Sequence, residues 1–139
     1  MPRAASKARA RALQLLYAWE FRNDGSVEAV ATRALRLCDG HVRGTDTERA
    51  ESLALAVVAK LDVLDRHVAA AADNWRLSRL GAVERNILRL GTYELAETEV
   101  PAKVVLNEAV QLAHWFGGPK SPAFVNGVLD RVAHTLGRL

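Results

Sequence analysis

The chain has 139 residues, room for one domain with its own core and not for two of ordinary size. Its 50% hydrophobic and 25% charged residues exclude a disordered or fibrous chain, and a single cysteine, Cys38, excludes an intramolecular disulfide and fits a reducing, cytoplasmic setting. The net charge of +3 is unevenly placed: Arg3, Lys7, Arg9 and Arg11 precede any acid, while the 120 residues from Glu20 onward carry 15 basic and 16 acidic side chains.

Helical periodicity runs through nearly the whole chain, and no convincing alternating strand interrupts it. The first predicted helix covers residues 3 to 22. Steps of four and three place Arg3, Lys7, Arg11, Gln14, Ala18 and Arg22 on one polar stripe. Ala8, Ala12, Leu15, Leu16 and Trp19 form the opposite, core-facing stripe, with Leu13 and Tyr17 between the two. Cations at the start of a helix oppose its dipole by roughly 0.3–1 kcal/mol each, so something other than local stability selects them. A basic start before "ALQLLYAW" has the outline of a targeting peptide. Gln14 interrupts that run, Glu20 and Arg22 follow it, and no small-residue cleavage site is present. No segment has the length of a transmembrane helix.

"NDG" at 23 to 25 ends this helix, and Ser26 can cap a second one running to about Asp39. After the loop "GHVRGTD", a third helical stretch is predicted from Thr45 or Asp46 to about Asp73, with a break near Lys60 to Asp62. "NWRLSRLG" reads as an irregular connector before a helix from Ala82 to about Glu97. On that helix Glu94 falls among Val83, Ile87 and Leu90, so its carboxylate must be paired once buried; Arg89 and Asn107 are the partners at hand. Gly91 on the same helix marks a close helix–helix approach. Pro101 suits the first turn of the next helix, which reaches Phe116 and stops at Gly117, Gly118 and Pro119. Ser121 as N-cap and Pro122 in the first turn open the last helix, which extends to about Leu136. The expected fold is all-α, a compact bundle of six to seven helices.

No Gly-rich phosphate loop, paired metal-ligand spacing or nucleophile motif occurs, so neither a catalytic residue, a metal nor a cofactor is expected. Cys38 and His41 straddle Gly40 and lack the further ligands of a zinc site. Glu84 and Arg85, read from the residues alone, are solvated charges near the edge of a buried face. The concentrated basic arm instead suits a polyanion, most often nucleic acid, and Tyr17 at the rim of the cationic face adds a stacking group. Phe124 lies about 100° off the apolar stripe of Val125, Val128, Leu129, Val132 and Leu136. Beside Lys120, it either stacks on an unpaired base while the lysine meets a phosphate, or folds back as a staple on the preceding helix.

The motifs "ARALQLLYAWEF", "NWRLSRLGAVERNILRLGTYEL", "VPAKVVLNEAVQLAHWFG" and "SPAFVNGVLDRV" together resemble the NusB family of bacterial transcription antitermination factors. The resemblance covers both ends and most of the second half of the chain. It implies two small helical sub-bundles, at about residues 1–73 and 74–139. It implies a non-enzymatic factor that pairs with the ribosomal protein NusE, binds boxA-type single-stranded RNA of ribosomal RNA operons and joins an antitermination complex on RNA polymerase. By the same resemblance Arg3 to Arg11, with Lys7 and Arg9 foremost, and Tyr17 and Phe124 face RNA, while Glu84, with Arg85 beside it, meets the protein partner. Lys120 stands where an acid is frequent in that family and is expected to favour RNA. Two rival readings are a NusB-like module of the kind found in ribosomal-RNA methyltransferases and a helical DNA-binding regulator. A chain ending at Leu139 leaves no room for an α/β cofactor domain, and no cationic second helix of a turn-linked pair appears. Self-association that hides the basic face is a further reading left open by the sequence.

Overall fold

The computed structural model describes residues 4–22, 45–72 and 79–139. Among them are six helices and no strand: α1 (Ala4–Arg22), α2 (Thr45–Ala59), α3 (Leu61–Ala71), α4 (Ala82–Glu97), α5 (Ala102–Phe116) and α6 (Ser121–Thr135). The all-α expectation therefore holds. The helix predicted over 26–39, together with Arg3, Cys38 and His41, lies outside the described residues. By its contacts the chain divides into two compact units, Met1–Ala59 and Lys60–Leu139.

In the first unit α1 packs on α2. Ala50, Ala54 and Val57 recur at helical spacing on α2, and Ala8 and Ala12 on α1 are also buried, so small side chains let the helices approach while Leu13, Leu15 and Leu16 fill the remaining volume. Leu13, which the wheel left at the edge, is inside, and Trp19, which it assigned to the core, is half-exposed. The expected break near Lys60 is a single non-helical residue, Lys60 itself (φ −117°, ψ 21°), between α2 and α3.

In the second unit α4 is the central helix, packed against α3, α5 and α6. Its buried residues run almost continuously from Asn86 to Leu95 and so cover most of its circumference, as expected for a helix surrounded by others. Ile87, Leu88, Leu90 and Leu95 are fully enclosed there, each contributing roughly 1.5–3 kcal/mol of burial. Glu84 meets Ser121, Gly91 meets Leu129 and Arg138 meets the Leu95 carbonyl, so α4 and α6 run in the same direction and α5 returns between them. A Cβ on Gly91 would stand 2.6 Å from Leu129 Cδ1, which is the close approach the sequence indicated. Thr98 closes α4, its hydroxyl donating to the Glu94 carbonyl at 2.7 Å, and the Arg138 guanidinium donates to the carbonyls of Leu95, Thr98 and Val100 just beyond.

Among the described buried polar side chains of this unit, Asn86, Arg89 and Glu94 are engaged, whereas Thr92 Oγ1 has no hydrogen-bond partner. Arg89, with a side chain only 7% exposed, forks onto Asp65 of α3 through Nε to Oδ1 (2.7 Å) and Nη2 to Oδ2 (2.9 Å), and its Nη1 donates to Asn86 Oδ1 at 3.1 Å. Glu94 is buried as expected, whereas Asn107 is exposed.

Candidate nucleic-acid interface

Each unit presents its own set of candidate residues. On α1, Lys7 and Gln14 are exposed and Arg11 is half-exposed, its Nη1 donating to Gln14 Oε1 at 3.2 Å. Arg9 is different. It is only 9% exposed, because two residues beyond Lys7 means about 200° around the helix, into the side that Ala8, Ala12, Leu13 and Leu16 bury. A buried guanidinium requires internal partners, and Arg9 has one. The exposed cationic stripe of the described α1 is thus carried by Lys7 and Arg11.

Tyr17 is 43% exposed, at the rim of that stripe. Its ring stacks on Phe21, with centroids 6.3 Å apart and planes within 7°. Phe21 is 79% exposed, an unusual position for a phenylalanine, and sequence reasoning passed over it. Its spacing of four from Tyr17 was the available signal.

The second set lies where α4 and α6 begin. The segment "GGPKSPAF" folds tightly here: Gly117 approaches Ser121 so closely that a Cβ on it would meet Ser121 Oγ at 2.7 Å. Ser121 is the first residue of α6 rather than its cap, and its buried hydroxyl is used twice. It accepts from the Gly118 N–H at 3.0 Å and donates to Glu84 Oε2 at 2.7 Å. Glu84, in the first turn of α4, folds back over Gly81, where a Cβ would collide with Oε1. Its carboxylate is thereby tied to the α6 start as well as to the favourable end of its own helix dipole. Arg85 is half-buried and donates from Nη1 to the Leu80 carbonyl at 2.6 Å. The two charges read from the sequence as solvated are both engaged within the unit.

A cleft of about 360 Å³ opens at this end, lined by Arg79, Leu80, Gly81, Glu84, Lys120, Ser121 and Phe124. Lys120 is exposed and Phe124 half-buried, so the ring bounds a cleft instead of disappearing into the core. Arg79, exposed at the lip, was missed by sequence reasoning, since an irregular connector offers no periodicity from which to place it. On α5, Val104 and Trp115 are exposed on one line of the helix, and Phe116 is exposed at its end. Among the described residues no three His, Cys, Asp or Glu side chains gather as a metal site, and no helix is long and apolar enough to cross a membrane.

The model of the NusB family matches residues 6–134. The chain belongs to the NusB family. It is 43% identical over 137 residues to the transcription antitermination protein NusB of Sorangium cellulosum, covering 98% of this chain and 96% of the relative. With the NusB of Myxococcus xanthus it shares 39% identity, covering 97% and 98% of the two chains. Among solved structures, T. maritima NusB superposes with a TM-score of 0.83 at 33% identity, covering 96% of this chain and 92% of that one. A NusB solved with NusE in complex with double-stranded RNA superposes with a TM-score of 0.83 at 28% identity, covering 97% and 99%. The central α4, with its parallel α6 neighbour, is therefore a NusB-family arrangement.

Proposed function

We propose that this protein is an RNA-binding transcription antitermination factor that pairs with the ribosomal protein NusE and acts by assembly, without catalysing a reaction. The observation that carries the reading is the same pairing on each unit: an exposed cation and an accessible aromatic ring, Lys7 and Tyr17 on α1, Lys120 and Phe124 at the start of α6. Cations meet phosphates and rings stack on bases, and rings require bases that are splayed out of a helix, so a single strand of the boxA type fits better than a duplex. Membership of a family whose relatives are named transcription antitermination proteins supplies the process. The protein surface that NusE covers includes the Glu84 and Arg85 region, whose side chains are fixed in advance by Ser121 and the Leu80 carbonyl. Work on a nascent ribosomal RNA leader, in a complex with RNA polymerase, puts the protein in the cytoplasm.

The test is competition binding with a single-stranded boxA-type RNA as the labelled probe, with and without NusE. Single-stranded RNA is expected to displace the probe, with duplex RNA and duplex DNA much weaker, and NusE to tighten binding. Equal or better displacement by duplex RNA would replace the stacking account with one based on backbone shape. Preference for duplex DNA would restore the regulator reading.

A further inference from the structure

We propose that the cleft at the start of α4 and α6 is a single-nucleotide pocket, in which Arg79 joins Lys120 on a phosphate while the base packs between Phe124 and Leu80. The inference rests on the RNA-binding reading and adds to it a residue, Arg79, and a bounded subsite. Its volume of about 360 Å³ lies within the roughly 300–1,000 Å³ of small-ligand pockets. Its lining divides by chemistry. Arg79 and Lys120 line it from two different segments, one ahead of each helix, so both charges border the same space. Leu80 and Phe124 supply apolar wall, and the ring is held half-buried, which fixes a stacking plane.

Among the described lining residues the anion is Glu84, and it sets the orientation of the guest. Its Oε2 already accepts the hydrogen bond donated by the Ser121 hydroxyl, and Oε1 lies over Gly81. A phosphate beside that carboxylate is repelled, so it sits toward the two cations. An acidic peptide would satisfy the cations and would place its own carboxylates against Glu84 with nothing to use the ring. Charge and shape together therefore favour a nucleotide.

The test uses the full-length chain and fluorescently labelled oligouridylate, titrated over a series of salt concentrations. Replacing Arg79 by alanine should weaken binding roughly three- to tenfold and lower the salt slope by about 0.7 log unit per decade, the contribution of one phosphate. Arg79→Lys should restore the slope. Arg66→Ala, removing an exposed arginine of the same unit outside the cleft, should leave it unchanged. Because Arg79 and Phe124 would hold one nucleotide, Arg79→Ala and Phe124→Leu should be coupled, the double variant losing at least threefold less than the product of the single losses. Wild-type binding with an Arg79→Ala slope equal to that of Arg66→Ala, or with strictly multiplicative losses, would overturn the pocket and leave the RNA-binding reading standing. Failure of the wild-type chain to bind the probe would also overturn the pocket, the RNA-binding reading being decided separately by the boxA competition with NusE.

Discussion

Lys7 and Arg9 are two residues apart in a run of alternating alanine and cation, and they do opposite things. Lys7 faces outward, whereas Arg9 enters the side of α1 that packs on α2. Composition counts them equally, and the resemblance to the family ranked them together; the angle between them separates them. The same distinction applies to Glu84 and Arg89. Both are charges of α4, one tied to a serine at the cleft, the other enclosed against Asp65 between α3 and α4. Removing Asp65 takes from the buried Arg89 guanidinium its bidentate carboxylate, the partner of opposite charge. Asp65→Ala is accordingly expected to destabilise the protein by about 3 kcal/mol, read from urea unfolding. A loss under 1 kcal/mol would mean that the guanidinium finds water or another acceptor.

At the level of elements, the pairing of α4 with α6 depends on Gly91. The glycine lets Leu129 lie against the α4 backbone, and Leu129 is fully buried, with no room to swing away. Gly91→Ala gains helix propensity of up to about 1 kcal/mol, and this gain is smaller than the roughly 1–3 kcal/mol that overpacking costs. A net fall in melting temperature is expected. Leu129→Ala alone costs about 2–5 kcal/mol as a buried truncation, so if the clash is the cause the Gly91→Ala, Leu129→Ala double variant should lose less than the sum of the two single losses. A single variant as stable as the parent would show that the helices can separate at no cost. The helix boundaries themselves were legible in the sequence to within a residue because caps and breakers are local: Pro101, which precedes α5 rather than sitting in its first turn, Gly117 after it and Pro122 in the first turn of α6 act through their own backbones. The division of the long stretch at Lys60 was visible as well. The tight turn joining α5 to α6 was misjudged by one residue, because Ser121 turns its hydroxyl toward Gly118 and Glu84 rather than capping its own helix.

For the molecule as a whole, each unit carries an exposed cation whose removal is expected to weaken RNA binding. Lys7→Ala in the first and Lys120→Asp in the second should each weaken binding of the same single-stranded RNA and each reduce its salt slope, by about 0.7 log unit per decade for the alanine variant. Together their free-energy losses should add, as independent contacts on one ligand do. If only one of the two variants changes the slope at low ionic strength, the strand engages a single unit. What the sequence determined by itself was everything that depends on neighbours along the chain: helical period, caps, the excess of cations before Glu20, and the ordered motifs that resemble the NusB family. Only the tertiary structure decided which charges are spent internally, as with Arg9 and Arg89, and which residues meet across space, as Arg79 and Phe124 do at one cleft. The reason is that periodicity fixes the side of a helix on which a residue lies, whereas partners 37 positions away, such as Ser121 for Glu84, are chosen by how helices pack.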